Sequence, residues 1–257
     1  MDTKRLKHGV WLLAMWLVVT VASAEEKQVI QFGAYEAAPW FIPGGEAARE
    51  QEEHKHGIIP EYMDAIMHRS PSLDIRIEPL PFRRAIVDLK NGRVDMAAAP
   101  RQADLSEFAV PLASFGRVQM TLFSREKIQA KSVEELPPMK VGYLRGLPLF
   151  HEYMKQPQIT LVPVNSGRNG LDALELGRLD AVMLTEVSYR YQTVVRDWDY
   201  SHFHQVLFLG ELEFIAWVHK DHASDTRFNT LKSELDAMHE DGTANAYMAG
   251  IGVDFQP

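Results

Sequence analysis

The chain has 257 residues, 46% of them hydrophobic and 24% charged, with a formal net charge of −8 and no cysteine. This composition fits a globular protein able to bury one or two cores. It excludes disulfides, thiolate metal sites and cysteine nucleophiles, and its acidity argues against nucleic acid or anionic lipid as partner.

The first residues, "MDTKRLKHGVWLLAMWLVVTVASA", set Lys4, Arg5 and Lys7 ahead of an apolar run from Val10 to about Val21, followed by Ala22-Ser23-Ala24. This three-part pattern predicts a secretory signal over 1–24, cleaved to leave Glu25 as the first residue. The run is shorter than the ~20 residues a spanning helix needs, and without a cysteine after it there is no lipid anchor. The expected product is a soluble periplasmic protein. Without the signal, Lys+Arg falls from 27 to 24 and Asp+Glu from 35 to 34, a formal net charge of −10.

The mature chain opens with a predicted strand over Val29–Phe32 and a loop delivering Pro39, Trp40 and Phe41. "IPGGEAAREQEEHKHG" is nearly free of large apolar residues and reads as a solvated excursion. "IIPEYMDAIMHRS" has helical spacing, and "LDIRIEPLPF" alternates as a strand does. Later come strands over Val118–Phe123 and Lys140–Leu144, a helix over "LPLFHEYMKQ" that Pro148 can open, and a strand in "ITLVPVNS". "EVSYRYQTVV" reads as helix, "FIAWVHK" as a late strand, and "DTRFNTLKSELDAMHEDG" as an amphipathic helix stopped by Gly242. Alternating strands and helices predict an α/β fold with mostly parallel sheets and sites at strand ends.

One pattern is written twice. "LKNGRVDMAAA" (Leu89 to Ala99) returns as "LELGRLDAVML" (Leu174 to Leu184), each behind a helical run and ahead of an apolar one. Each reads as helix, stop, strand, with Gly92 and Gly177 taking the positive φ that ends a helix and the next arginine near the last free carbonyls. Two such joints suggest two α/β lobes.

"APWF", "GIIPEYMDAI", "PLPFRRAIVDLKNGRVDMAAAP", "FAVPLASFGRVQMTLFSRE", "KVGYLRG", "DALELGRLDAV" and "LDAMHEDGTANAYMAGIGV" follow one another in an order and spacing that resembles the bacterial extracellular solute-binding proteins of family 3. The resemblance spans essentially the whole mature chain. It implies a periplasmic-binding-protein-like fold of type II, with the ligand cleft between two lobes. Lobe 1 would hold 25–111 and 214–257, lobe 2 would hold 117–208, and the hinge crossings would fall at 112–116 and 209–213.

The resemblance also directs attention to particular side chains. Trp40, in the loop after the first strand, takes the place of an aromatic platform, and Phe82 and Arg84 open the helix before the first repeat. Aromatic faces suit apolar or cationic groups, and guanidinium forks suit carboxylates. Amino-acid binders of the family place a carboxylate-gripping arginine six residues before a phenylalanine. Counted from Phe108 that position is Gln102, with the arginine next door at Arg101. Their ammonium-binding aspartate falls here on Thr185, with the acid next door at Glu186. Both halves of the amino-acid clamp are displaced, and neighbouring strand positions face opposite ways. Arg145-Gly146-Leu147-Pro148 opens a predicted helix whose free N–H groups suit an anion, and Asn165 and Ser166 stand at a strand end as polar contacts or helix caps. We therefore take Trp40, Phe82, Arg84, Arg101, Gln102, Leu147, Asn165, Thr185 and Glu186 as candidate ligand contacts.

Ten histidines include the pairs His54/His56 and His202/His204, with Glu52 and Glu53 beside the first. No further ligand stands at metal-site spacing, so these read as solvated surface. No phosphate loop, dinucleotide fingerprint, zinc-protease helix or nucleophile elbow is present. The sequence thus predicts a monomeric, non-catalytic receptor without metal or cofactor that captures a small polar or acidic metabolite. An inner-membrane permease or a sensor protein is its expected partner. The alternatives are a dehydratase-like enzyme on the same scaffold with Glu186 as general acid, or a partner-binding protein with a vestigial cleft.

Overall fold

A computed structural model describes residues 27–35, 37–42, 57–146, 150, 153–195, 199–200 and 202–250. The expected signal, most of the charged excursion with His54 and His56, and Leu147 lie outside the described residues. Eight strands form one sheet: β1 (Gln28–Tyr35), β2 (Leu73–Leu80), β3 (Met96–Pro100), β4 (Ala109–Ser124), β5 (Met139–Leu144), β6 (Ile159–Val164), β7 (Ala181–Thr185) and β8 (His204–His219). The described helices are α1 (Ile58–Arg69), α2 (Phe82–Lys90), α3 (Gly167–Glu175), α4 (Glu186–Arg190), α5 (Thr226–Glu240) and α6 (Thr243–Gly250).

The strand order β2-β1-β3-β8-β4-β7-β5-β6 has an internal symmetry. On one side β1 pairs in parallel with β2 and β3, and on the other β5 pairs in parallel with β6 and β7. Between them β4 and β8 run antiparallel for their full length, joining the two halves. The expectation of mostly parallel sheet therefore holds for the flanks and not for the centre. Strand β4 begins at Ala109, well before the expected Val118, and its pairing with β8 slips at Pro111/Ala113, Ser114/Gly116 and Met120/Thr121. Those irregularities bend a long ribbon without ending it.

The near-repeat explains the symmetry at atomic detail. Gly92 and Gly177 both have φ +66, and their N–H groups donate to Leu89 and Leu174 carbonyls, each at 3.0 Å. Arg93 and Arg178 N–H then donate to Asp88 and Ala173 carbonyls at 2.8 Å. Asp95 Oδ2 accepts from Gln31 N–H in β1, and Asp180 Oδ2 accepts from Lys140 N–H in β5, both at 2.7 Å. The aspartate of L-x-x-G-R-x-D thus satisfies a backbone donor of the neighbouring parallel strand, once per half. The following strands, β3 and β7, are buried throughout, as strands covered on both faces must be.

Each half buries one helix of the repeat against its sheet. Ala85 and Leu89 of α2 pack with Leu80, Val94 and Trp217, while Leu171 and Leu174 of α3 pack with Phe123, Val182 and Leu184. A larger core runs through both halves, with Ile58, Tyr62 and Ile66 of α1 against Phe115 and Phe214. Helix α5 ends before Gly242 at φ +80, as its sequence predicts, but a further helix follows. Tyr62 Oη donates to the Ala244 carbonyl at 3.0 Å and fixes that helix, α6, on α1. Of the helix expected over "LPLFHEYMKQ", the described residues Tyr153 and Met154 form a turn.

Candidate ligand cleft

The ends of β1, β5 and β6 and the starts of α2 and α3 converge on a cavity of about 440 Å³. Its two walls come from opposite halves of the sheet. From the first come Tyr35, Ala37, Ala38, Pro81 and Phe82. From the second come Leu144 and Arg145 at the end of β5, Asn165 to Asn169 at the start of α3, and Ser188 and Gln192.

The first wall is aromatic and stiff. Tyr35 meets Phe82 edge to face at 5.4 Å between centroids and lies nearly parallel to Phe214 at 6.1 Å. Trp40 backs this stack at 4.3 Å from Phe214 and is only 1% exposed. Such aromatic pairs contribute about 0.5–1.5 kcal/mol beyond the area they bury. Burial pushes the Tyr35 phenol far up from its ordinary range, so it stays neutral.

The second wall is polar and cationic. Ser166 caps α3, its Oγ accepting from Asn169 N–H at 3.1 Å, so the positive end of the helix faces the cavity beside Arg145 and Arg168. Arg168 is shared with Asp172, one turn on at 3.5 Å. Helix α4 continues into a wider turn, Tyr191–Val195, of the i to i+5 type. Ser188 and Gln192 lie one turn apart on the face that lines the cavity, and Gln192 is 4% exposed with its Oε1 unpartnered.

The walls also touch. Ser188 Oγ–H donates to the Ala38 carbonyl at 2.9 Å, and Thr185 Oγ1–H donates in turn to Ser188 Oγ at 2.8 Å. At Gly146 a Cβ would stand 3.3 Å from Arg83 Cγ, so the Arg83 stem lies close across the end of β5.

Of the residues singled out in the sequence, Phe82 and Asn165 line the cavity. Trp40 stands behind its wall. Arg84 donates to the buried Asp88 carboxylate at 2.6 Å. Arg101 donates to Glu213 at 2.6 Å, and the Gln102 side-chain amide Nε2 donates to the Glu211 carbonyl at 2.9 Å. Both hold the 3-10 turn Arg101–Ala103 on β8. The Arg101 hydrogen bond keeps the Glu213 carboxyl below its usual range, and the same bond raises Arg101. Thr185 is buried as the N-cap of α4, accepting from Ser188 N–H at 3.2 Å, and Glu186 stands 3.7 Å from Arg190. Leu147 lies outside the described residues. His202 meets Glu175 at 2.8 Å on the surface, and among the described residues no group of three potential metal ligands gathers.

Sequence reasoning did not single out Tyr35, Ser188 or Gln192. A signal for the last two existed: within "EVSYRYQTVV" they are polar residues at i, i+4 beside the buried Val187 and Tyr191.

No protein-family model and no curated protein sequence matches the chain. Solved structures do. A histidine kinase sensor domain with similarity to periplasmic binding proteins superposes with TM-score 0.73 at 17% identity, covering 91% of this chain and 100% of its own. An amino-acid ABC transporter substrate-binding protein from Streptococcus pneumoniae, solved with L-arginine, gives 0.71 at 14% identity, over 89% of this chain and 97% of its own. The Bordetella pertussis BvgS periplasmic domain gives 0.67 at 18% identity, over 89% of this chain and 44% of its own. The chain therefore has the two-lobe type II fold of periplasmic binding proteins.

Proposed function

We propose that the protein is an exported, periplasmic solute-binding protein that captures a small polar or acidic metabolite between its lobes by hinge closure and presents it to an importer or a sensor. The observation that carries this reading is the cavity itself, about 440 Å³ in volume and walled from both halves of the sheet. That is the size and placement of a small-molecule site, which forms most readily where two units meet. In this reading the lobes are 25–111 with 214–257 and 117–208, and the crossings at 112–116 and 209–213 are the hinge. The bends in the β4–β8 ribbon at Ser114/Gly116 fit such a role. The fold neighbours include both a transporter's binding protein and sensor domains, which is why either partner suits it. The dehydratase-like alternative draws no support from Glu186, which pairs with Arg190 and is not among the described cavity-lining residues.

Small-angle scattering of the mature protein tests the reading. A ligand that raises the melting temperature should also shrink the radius of gyration, because closure buries both walls against it. Stabilisation with an unchanged scattering profile counts against hinge capture. N-terminal sequencing of the periplasmic form should begin at Glu25, and an intact leader there refutes export by cleavage.

A further inference from the structure

We infer that the cleft selects a carboxylic acid with a flat apolar body and a hydroxyl group, and without an ammonium group. This rests on the solute-binding reading and specifies the ligand it leaves open. Tyr35, Phe82 and Pro81 offer an apolar wall to a planar body, while the opposite wall offers positive charge. Because Arg168 is shared with Asp172, Arg145 and the first turn of α3 are the partners for a carboxylate.

The described lining contains no carboxylate to receive an ammonium group. Glu186 is engaged by Arg190 and Thr185 is spent on capping α4, so neither acid nor hydroxyl of that segment is offered to the cavity. An ammonium group placed between Arg145 and a helix N-terminus would be desolvated against like charge, which costs far more than a neutral atom there. Gln192 supplies the remaining feature. It lines the cavity and its buried amide oxygen has no protein partner, so a small turn of the side chain would let a ligand hydroxyl complete it.

Calorimetric titration of the mature protein with four probes isolates each group: para-hydroxyphenylpropionate, phenylpropionate, para-hydroxyphenylpropionamide and L-tyrosine. The first should bind tightest. Removing the hydroxyl should weaken binding by about 3- to 10-fold, and neutralising the carboxylate by roughly 10- to 100-fold. L-Tyrosine, which adds only the ammonium, should bind at least ~100-fold more weakly. Gln192→Leu should abolish the preference for the hydroxyl, and the exposed Arg145→Gln should weaken both acids while sparing the amide. L-Tyrosine binding as tightly as its deamino analogue overturns the inference. So does equal binding of the two acids by the unaltered protein. If a standard amino acid or an aliphatic acid binds and compacts the protein instead, the solute-binding reading stands and this ligand class falls. If none of these compounds binds, this ligand class falls and the solute-binding reading rests on the scattering test.

Discussion

Asp88 is 4% exposed yet carries a charge, and two arginines account for it. Arg84 donates to one carboxylate oxygen at 2.6 Å and Arg93 to the other at 2.9 Å. Burial alone pulls the carboxyl upward; the two guanidinium hydrogen bonds outweigh it and hold the group below its usual range. Asp88→Asn should therefore destabilise the protein by about 1–3 kcal/mol at neutral pH, read as a lower urea midpoint. A folded-state carboxyl held low contributes stability above its unfolded value, 3.8, and that contribution fades as pH falls through the lower folded value. The gap between the two proteins should thus narrow as pH falls below 3.8, and a gap constant with pH would contradict the ion-pair account. Arg84 shows what the sequence withheld at this scale. The resemblance makes it a ligand contact, although its i, i+4 spacing to Asp88 is legible in the sequence; that Arg93 converges from beyond the helix stop is not, because only the turn at Gly92 brings it back.

The repeated joint was the most legible element of the chain. A glycine closing a helix and an aspartate three residues on are local chemistry, and both copies adopt the same φ and the same strand-edge hydrogen bond. The wider turn carrying Gln192 was not legible, since a helix widened to i to i+5 has no residue signature. Helix α3 lies between these extremes. Gly170 lets it approach the sheet so closely that a Cβ would stand 2.8 Å from Val182 Cγ2 and 3.4 Å from Val164 Cγ2. Gly170→Ala should force α3 outward, lowering stability by roughly 1–3 kcal/mol despite the better helix propensity of alanine. Because the first turn of α3 lines the cavity, affinity for any anionic ligand should fall with it. A variant as stable as the parent in a thermal melt would show that the sheet yields instead.

Across the whole molecule, alternating strands and helices made the α/β class readable, while the central ribbon was hidden by its own punctuation. "FAVPLASFGRVQMTLFSRE" carries Pro111 and Gly116, which read as a break, yet the strand passes through both by slipping register against β8. On the proposed hinge reading this ribbon joins the lobes, and contacts between the walls would then set how long the cleft stays shut. Ser188 to Ala38 is one of them, a single neutral hydrogen bond between the two walls. Removing it costs the closed state about 0.5–1.5 kcal/mol, and a bond of that size changes a closing equilibrium by roughly 2- to 12-fold. If the walls part as proposed, water would replace Ser188 at the Ala38 carbonyl, so the open form would lose little. Ser188→Ala should therefore weaken ligand binding by that factor, chiefly through faster release, while the ligand-free melting temperature moves by less than ~2 °C. A large drop in melting temperature with unchanged affinity would mean that Ser188 serves only the folding of α4, through its bonds with Thr185, and that closure is held elsewhere.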